Sequence, residues 1–484
     1  MIRSTFTALA VIALAAMLGY QTVALELFSR TQTPALVGTT AVAWALFAAA
    51  LLLLRRVRPR HVVPLVVAGS LLVGGAALLG PPNTSTDSAR YSWDGIVATA
   101  GISPYDHVPV DDRLAPLRQD WLIAPTTTDA DGKPVCEVLR IDGTTSVPSG
   151  EPLCTAINRP HVPTIYPPLA ELYFAAVRAP VAPTVEYLPF QVGGLLISLS
   201  VTAMLLVALR RWGGDPRWAA LWAWCPFVAT EAITNSHVDA LGVALALGAS
   251  LLIASGRRVW GGIALGASIA TKLIPVIVAP PLLKRRPLTV ILTAVGTFAL
   301  LYVPYVIASG PEVIGYLPGY LSEEGYDDGS RFALLSLVLP GNIALVAAAV
   351  IIAVVAALCW WKADPAAPWL AQLVLVGTIL VVLSPRYAWY ALLLVPFIAL
   401  TRRWEWFAIP LALTARLLIP SLLVSRVALA IAVAVIVVGW VLRRRTAALQ
   451  PPVLRAPQRD PAGPGRAARP GRPGSAAPSA VGGS

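Results

Sequence analysis

Apolar runs of membrane-crossing length recur along this chain from about residue 5 to residue 441, and no other feature restricts its fold so tightly. A helix that spans a hydrocarbon core of ~30 Å needs about 20 predominantly apolar residues. Runs that meet or approach that length fall at about 5–28, 36–54, 62–79, 187–209, 218–234, 240–255, 288–308, 342–361, 369–383, 387–400, 406–419 and 427–441, with a further apolar stretch over 259–283. In lipid, every backbone polar group must be satisfied internally, so such runs predict helices. The expected fold is an all-α, polytopic membrane helical bundle of about twelve spans plus one re-entrant hairpin. A composition that is 57% hydrophobic and 13% charged excludes a soluble domain.

Short basic clusters orient the bundle, because loops rich in Lys and Arg stay cytoplasmic. Arg3 precedes the first run, and Arg55, Arg56, Arg58 and Arg60 follow the second. Arg210/Arg211, Arg257/Arg258, Arg402/Arg403 and Arg443–Arg445 fall in the same phase. Both termini are therefore expected in the cytoplasm, with the long polar segment outside the plasma membrane. The net charge of +12 belongs largely to these clusters and the tail, so membrane lipids are expected neighbours and nucleic acid is not a partner. The expected organisation is N-terminal spans over 1–80, an external loop with interfacial helices over 81–186, a transmembrane bundle over 187–445 and a tail over 446–484. The tail, rich in Pro, Arg, Gly and Ala, can bury no core and is expected to be disordered.

The stretch 259–283 carries basic residues at both ends, so a single crossing would leave one cluster outside. Pro275 disfavours helical backbone at Ile274, and two half-helices meeting near 271–275 fit the charges. Lys272 then lies roughly 20 Å from the cytoplasmic face at ~1.5 Å per residue. A charge near the bilayer centre costs roughly 2.5–3.5 kcal/mol on insertion scales, so it requires an anion, either a buried carboxylate or a ligand phosphate.

The external segment carries further candidates. Asp94 stands between Trp93 and Gly95 soon after the third run. It is either a catalytic base or the cap of a short surface helix. Tyr166-Pro-Pro168 opens a stretch, 169–176, that is too short to cross and suits the interface; Glu171 there caps or binds sugar. In Asn235-Ser-His-Val-Asp239, Asn235 or Ser236 suits a helix N-cap and Asp239 a first turn, while His237 can donate to a phosphate or a sugar hydroxyl. Arg331 follows a loop rich in carboxylates and glycine, and Arg386 opens a span on the outer side; snorkelling is the alternative for each. Cys136 and Cys154 share the external loop, where a disulfide can persist, with two free thiols as the alternative. Cys225 and Cys359 lie in apolar runs and suit packing. No His/Cys spacing resembles a zinc site.

Four motifs follow one another: WDG…AGISPY in the external segment, TIYPP at 164–168, NSHVDALGVALALGA from Asn235, and ATKLIP at 270–275. In this order they resemble the bacterial C-type (GT-C) integral-membrane glycosyltransferases, nearest to the polyprenyl-phosphate-mannose-dependent mannosyltransferases. The resemblance covers about 90–286 by motif and the remainder by span pattern. It implies an acidic catalytic residue in the first large external loop, matched here by Asp94, and a lipid-phosphate sugar donor. One departure is that two extra spans precede this loop, which leaves the helix correspondence open.

The implied chemistry is transfer of a sugar, with mannose expected, from a polyprenyl-phosphate donor to a lipid-linked or polysaccharide acceptor at the outer face. The acceptor hydroxyl must lose a proton to a base, for which Asp94 is the candidate. Cations stabilise the leaving phosphate, and Lys272, His237, Arg331 and Arg386 form that pool; Tyr166, Glu171 and Asn235 are the substrate-binding candidates. The β-linked donor of the resembled family implies inversion to an α-linked product. No cofactor is assigned; a divalent ion, used by some relatives on this fold, stays open. Gly261–Gly266 has glycine spacing but lies within a membrane helix, which disfavours a nucleotide-sugar donor. A transporter or flippase for a lipid-linked sugar is the alternative, although the internal repeats common in transporters are not found. A non-catalytic partner in envelope assembly is the third. Asp106, Asp111, Asp112 and Glu171 are the next candidate bases.

Overall fold

The structure, a computed structural model, describes residues 2–29, 31–136, 144–326, 331–449 and 482. The chain divides into two units, Met1–Val437 and Val438–Ser484. In the first, α1 (Ile2–Ala24) packs on both α2 (Thr33–Leu54) and α3 (Pro59–Ala76). Two shorter helices follow, α4 (Asp87–Thr99) and α5 (Pro168–Arg178), and then α6 (Leu188–Arg211). Short helices α7 (Ala220–Ala223) and α8 (Pro226–Val228) lead to α9 (Asp239–Ala254), which packs against α10 (Arg258–Thr271), itself packed on α11 (Pro287–Ser309). The remainder comprises α12 (Leu317–Glu323), α13 (Gly341–Lys362), α14 (Trp369–Leu383), α15 (Val395–Thr401), α16 (Ala408–Leu418) and α17 (Leu422–Leu449).

Among the described residues, by length and composition, seven helical stretches can cross a membrane, or eight if Pro226–Thr234 and Asp239–Ala254, bent by 115°, count as one. That is fewer than the twelve-odd runs suggest. The runs at 218–234, 387–400 and 406–419 do not form long regular helices. The first breaks at Pro226 and ends in a π-helical turn, Ala229–Thr234; the second opens as a 3₁₀ segment, Ala388–Leu394; the third keeps an α-helix of 11 residues. Irregular backbone is tolerated at such depth where protein surrounds it. Side chains of the first two runs are almost wholly buried, and the Trp222 and Trp224 indoles donate to the carbonyls of Ser198 and Val66. By contrast, α11 and α13 leave Leu292, Leu300, Ile307 and Val346 uncovered, as a lipid-facing surface does.

The hairpin breaks near its proline. Helix α10 stops at Thr271, Lys272 is extended (φ −156°, ψ 138°), and 3₁₀ turns follow at Ile274–Val278 and Pro280–Leu282.

In the polar segment between α3 and α6, α4 is buried from Ser88 to Val97 and packs closely on α5. A Cβ on Gly95 would lie 2.6 Å from both the Phe174 carbonyl oxygen and Arg178 Cγ, so only glycine permits this approach. Pro168 occupies the first turn of α5, where its missing N–H costs nothing. Between the two helices lies a feature that the apolar runs did not announce. Strands β1 (Ile123–Pro125), β4 (Thr144–Ser146) and β5 (Pro152–Thr155) form an antiparallel sheet in the order β1-β5-β4, beside a β2 (Thr127–Thr128) and β3 (Pro134–Val135) pair. Helical periodicity is absent there and threonine suits strands. A Cys136–Cys154 disulfide, with Cα atoms 5.5 Å apart, ties the end of β3 to β5 and so links the pair to the sheet; closing a loop of this size contributes roughly 3 kcal/mol in the chain-entropy account. Free Cys225 and Cys359 are both buried. In the second unit, Arg444 lies over the Trp440 ring at 3.9 Å. The tail expected to be disordered lies, over 450–481 and 483–484, outside the described residues.

Candidate active site

A cavity of about 190 Å³ is walled by Asp87 on α4, by Arg159 and Tyr166 from the segment before α5, by Lys272 at the hairpin break, and by Tyr320 and Arg331 beyond α11. Tyr387, Trp389 and Tyr390, from the segment after α14, complete its aromatic side; Leu273, Ile274, Leu317 and Leu321 give it an apolar flank. Each polar wall comes from a place where regular helix begins or fails. Asp87 is in the first turn of α4, Arg159 has left-handed backbone (φ 51°) just before Pro160, and Lys272 interrupts the hairpin.

Asp87 is the carboxylate of this lining. Its side chain is 13% exposed and accepts a hydrogen bond from Asn158 Nδ2 at 2.7 Å. Facing the same space are three cations, each held by a carboxylate that is not part of the lining. Lys272 Nζ donates to Asp239 Oδ2 at 2.6 Å and sits 4.9 Å from the centre of the Tyr390 ring. Arg159 Nε donates to Glu323 Oε2 at 2.7 Å and its Nη2 to the Tyr387 hydroxyl at 3.3 Å. Arg331 pairs with Glu324 and lies 4.8 Å over the Tyr326 ring. Tyr320 and Tyr390 share a hydrogen bond between their hydroxyls.

Asp94 lies two turns beyond Asp87 on the same helix, is only 2% exposed, and is absent from the lining. Arg90 Nε donates to both of its carboxylate oxygens at 2.9 Å, while Arg90 Nη1 donates to the carbonyls of Arg159 (3.4 Å) and Val162 (3.1 Å). The pair thus ties α4 to the segment that presents Arg159. Glu171 is completely buried beside it and accepts from the Thr164 hydroxyl at 2.6 Å. Burial pushes the Asp94 carboxyl up from its ordinary value, against the pull of the Arg90 charge and hydrogen bonds. Burial and then the Asp94 charge push Glu171 well up, with the Thr164 hydrogen bond opposing.

The other candidates separate into two groups. Tyr166, Lys272 and Arg331 reach the cavity. Asn235 is buried and accepts the backbone N–H groups of Asn83 and Thr84, which fixes the approach to α4. His237 is buried, stacked on Trp389 with ring centres 3.9 Å apart. Arg386 is exposed and outside the lining. Asp106 and Asp112 are exposed, and Asp111 is held well below the usual carboxylate range by hydrogen bonds from Arg113. Sequence reasoning missed Asp87, Arg159, Tyr320, Tyr387 and Tyr390. Positions 87, 90, 91 and 94 share one helical face at i, i+3, i+4 and i+7, and that spacing was the available signal for Asp87. Among the described residues no three His, Cys, Asp or Glu side chains are grouped to hold a metal ion. The lining sets a single carboxylate against three cations, so the residues present do not fit a divalent ion and no step below passes through one.

A helical membrane protein with a polar cavity set among its helix breaks is the class that this fold and site define. Residues 164–385 match the model of glycosyltransferase family 87, which indicates a membrane glycosyltransferase. The match takes in Tyr166, Lys272, Tyr320 and Arg331, and begins after Asp87 and Arg159. No curated protein and no solved structure matches the chain.

Proposed function

We propose that the protein transfers a sugar, mannose in the first instance, from a polyprenyl-phosphate donor to a hydroxyl of a lipid-linked or polysaccharide acceptor on the outer face of the plasma membrane. The observation that carries this reading is one carboxylate, Asp87, sharing a cavity with three cations and an apolar flank. Arg159, Lys272 and Arg331 offer positive charge to the donor phosphate, and Leu273, Ile274, Leu317 and Leu321 offer an apolar surface to its chain. As the acceptor oxygen attacks the anomeric carbon, its proton passes to Asp87. The bond to the phosphate breaks, and the phosphate leaves with the electron pair against the cations. A single displacement inverts the anomeric centre. In this scheme Asp87 takes the role that the sequence offered to Asp94. Asp94 acts through Arg90 to position Arg159, because a carboxylate buried and doubly held by an arginine has no path to a substrate hydroxyl.

Purified protein in lipid nanodiscs, supplied with radiolabelled polyprenyl-phosphate mannose and a membrane lipid extract as acceptor, should give a labelled glycolipid or glycan. Failure to transfer, while unmodified donor is carried across sealed vesicles, would replace this function with that of a flippase.

A further inference from the structure

We propose that His237 and Glu231 form a proton relay behind Asp87, which takes the acceptor's proton out of the cavity during transfer. The inference rests on Asp87 being the base. His237 Nδ1 lies 3.0 Å from the Glu231 carbonyl oxygen and 3.1 Å from Glu231 Oε2. Both neighbours are acceptors, so Nδ1 carries the hydrogen and the neutral ring presents a bare Nε2. That Nε2 is buried, has no hydrogen-bond partner and faces Asp87 Oδ2 at 3.8 Å. Two lone pairs facing each other account for the gap, and a proton on Asp87 would close it. Unpartnered buried nitrogen is costly, and here it points at the group that becomes acidic during transfer.

The local fold is arranged for this pairing. Glu231 sits in the π-helical turn Ala229–Thr234, and Ser236 adopts left-handed backbone (φ 50°), which brings His237 N–H back to the Glu231 carbonyl at 3.0 Å. The Glu231 carboxylate is 3% exposed and also receives Asn235 Nδ2 at 3.4 Å. Trp389 lies face-on against the imidazole, where its ring favours a cation. The proton therefore moves from the acceptor hydroxyl to Asp87 and on to His237 Nε2, and the resulting imidazolium is held by Glu231 and Trp389. It leaves to water when product departs, and the bare Nε2 is restored. A histidine that bound phosphate would instead present N–H in the cavity lining, where His237 does not appear.

The test uses the full-length protein in nanodiscs. His237→Ala should lower kcat by roughly 10²-fold, the scale of a lost general base, and leave the KM for the donor unchanged. Free imidazole should restore activity by filling the space between Trp389 and Glu231. Glu231→Gln, which keeps the shape and an acceptor for Nδ1, should lower kcat in the same direction and guards against a misfolded His237→Ala. In an Asp87→Asn background neither substitution should add further loss, as expected of groups that act as a unit. A raised donor KM without imidazole rescue would make His237 a phosphate ligand and overturn the relay. Normal transfer by folded Glu231→Gln would also overturn it. If Asp87→Asn itself transfers normally, the base assignment falls; if Asp87→Asn is inactive while His237→Ala and Glu231→Gln are normal, only the relay falls.

Discussion

Replacing Asp87 and Asp94 in turn by asparagine separates two carboxylates that share one face of one helix. At Asp87 the amide keeps the size of the side chain and a hydrogen-bonding oxygen, and it loses only the capacity to take a proton. General-base catalysis is worth about 10²–10⁴-fold, or roughly 2.7–5.4 kcal/mol of barrier at ~1.36 kcal/mol per decade. Asp87 is cavity-facing, so the fold should tolerate the change. At Asp94 the amide leaves the Arg90 guanidinium buried, with its counter-charge gone and its Nη2 already without a partner. Breaking one side of a buried pair costs about 3–5 kcal/mol, and an asparagine that still accepts one bond from Arg90 belongs at the lower end. Asp94→Asn should therefore appear mainly as lost folded protein and a lower unfolding temperature, with the surviving molecules still transferring sugar. The assay is the initial transfer rate per folded molecule in nanodiscs, beside a thermal melt of the same sample. Near-normal transfer by Asp87→Asn, with well-folded but inactive Asp94→Asn, would refute the assignment and return the base to Asp94.

Lys272→Ala should raise the donor KM and also destabilise, because Asp239 loses its cation; Lys272→Ala with Asp239→Asn should recover stability without recovering donor affinity, and recovery of both would make Lys272 purely structural. Glu171 has a folded-state carboxyl value raised by burial, so the stability it contributes is present below the ordinary carboxylate value and lost as pH rises through the raised one. Unfolding temperature should accordingly fall more steeply, as pH rises above the ordinary carboxylate range, in the wild type than in Glu171→Gln; parallel curves would count against the raised carboxyl value of Glu171. In a background without native cysteines, a single cysteine at Asp131 should react with a membrane-impermeant thiol reagent on intact cells and one within 457–484 should not; labelling of the tail would reverse the proposed orientation.

Much of the architecture was legible because hydropathy is additive along a helix. The runs at 5–28, 36–54 and 187–209 became α1, α2 and α6, and Pro275 marked the hairpin break that exposes Lys272. The runs at 218–234 and 387–400 are equally apolar, yet their backbones break, since burial by other segments supplies partners that a window of sequence does not contain. The proposed base departs from the sequence reading for a related reason. Asp94 stands in the more conspicuous motif, but whether a carboxylate on that face meets the cavity or Arg90 depends on where the 159–166 segment lies, and α5 fixes that only in three dimensions. Lys272 was read as needing an anion, a buried carboxylate or a ligand phosphate, and in the structure it pairs with a carboxylate. The residue that supplies it, Asp239, had been accounted for as a helix-start residue, and the pairing spans 33 positions that no local pattern connects.

The spread of the cavity along the chain, from Asp87 to Tyr390, bears on how the protein is made. About 300 residues separate its first wall from its last. At roughly 5–20 residues per second of synthesis, some 15–60 s pass between the emergence of Asp87 and that of Tyr390. During that interval Arg159 and Lys272 are already synthesised, but the Tyr387–Tyr390 segment that closes the aromatic side is not. A nascent chain on the ribosome therefore holds an open half-site, and its aromatic side is walled only once residues 387–390 have been inserted.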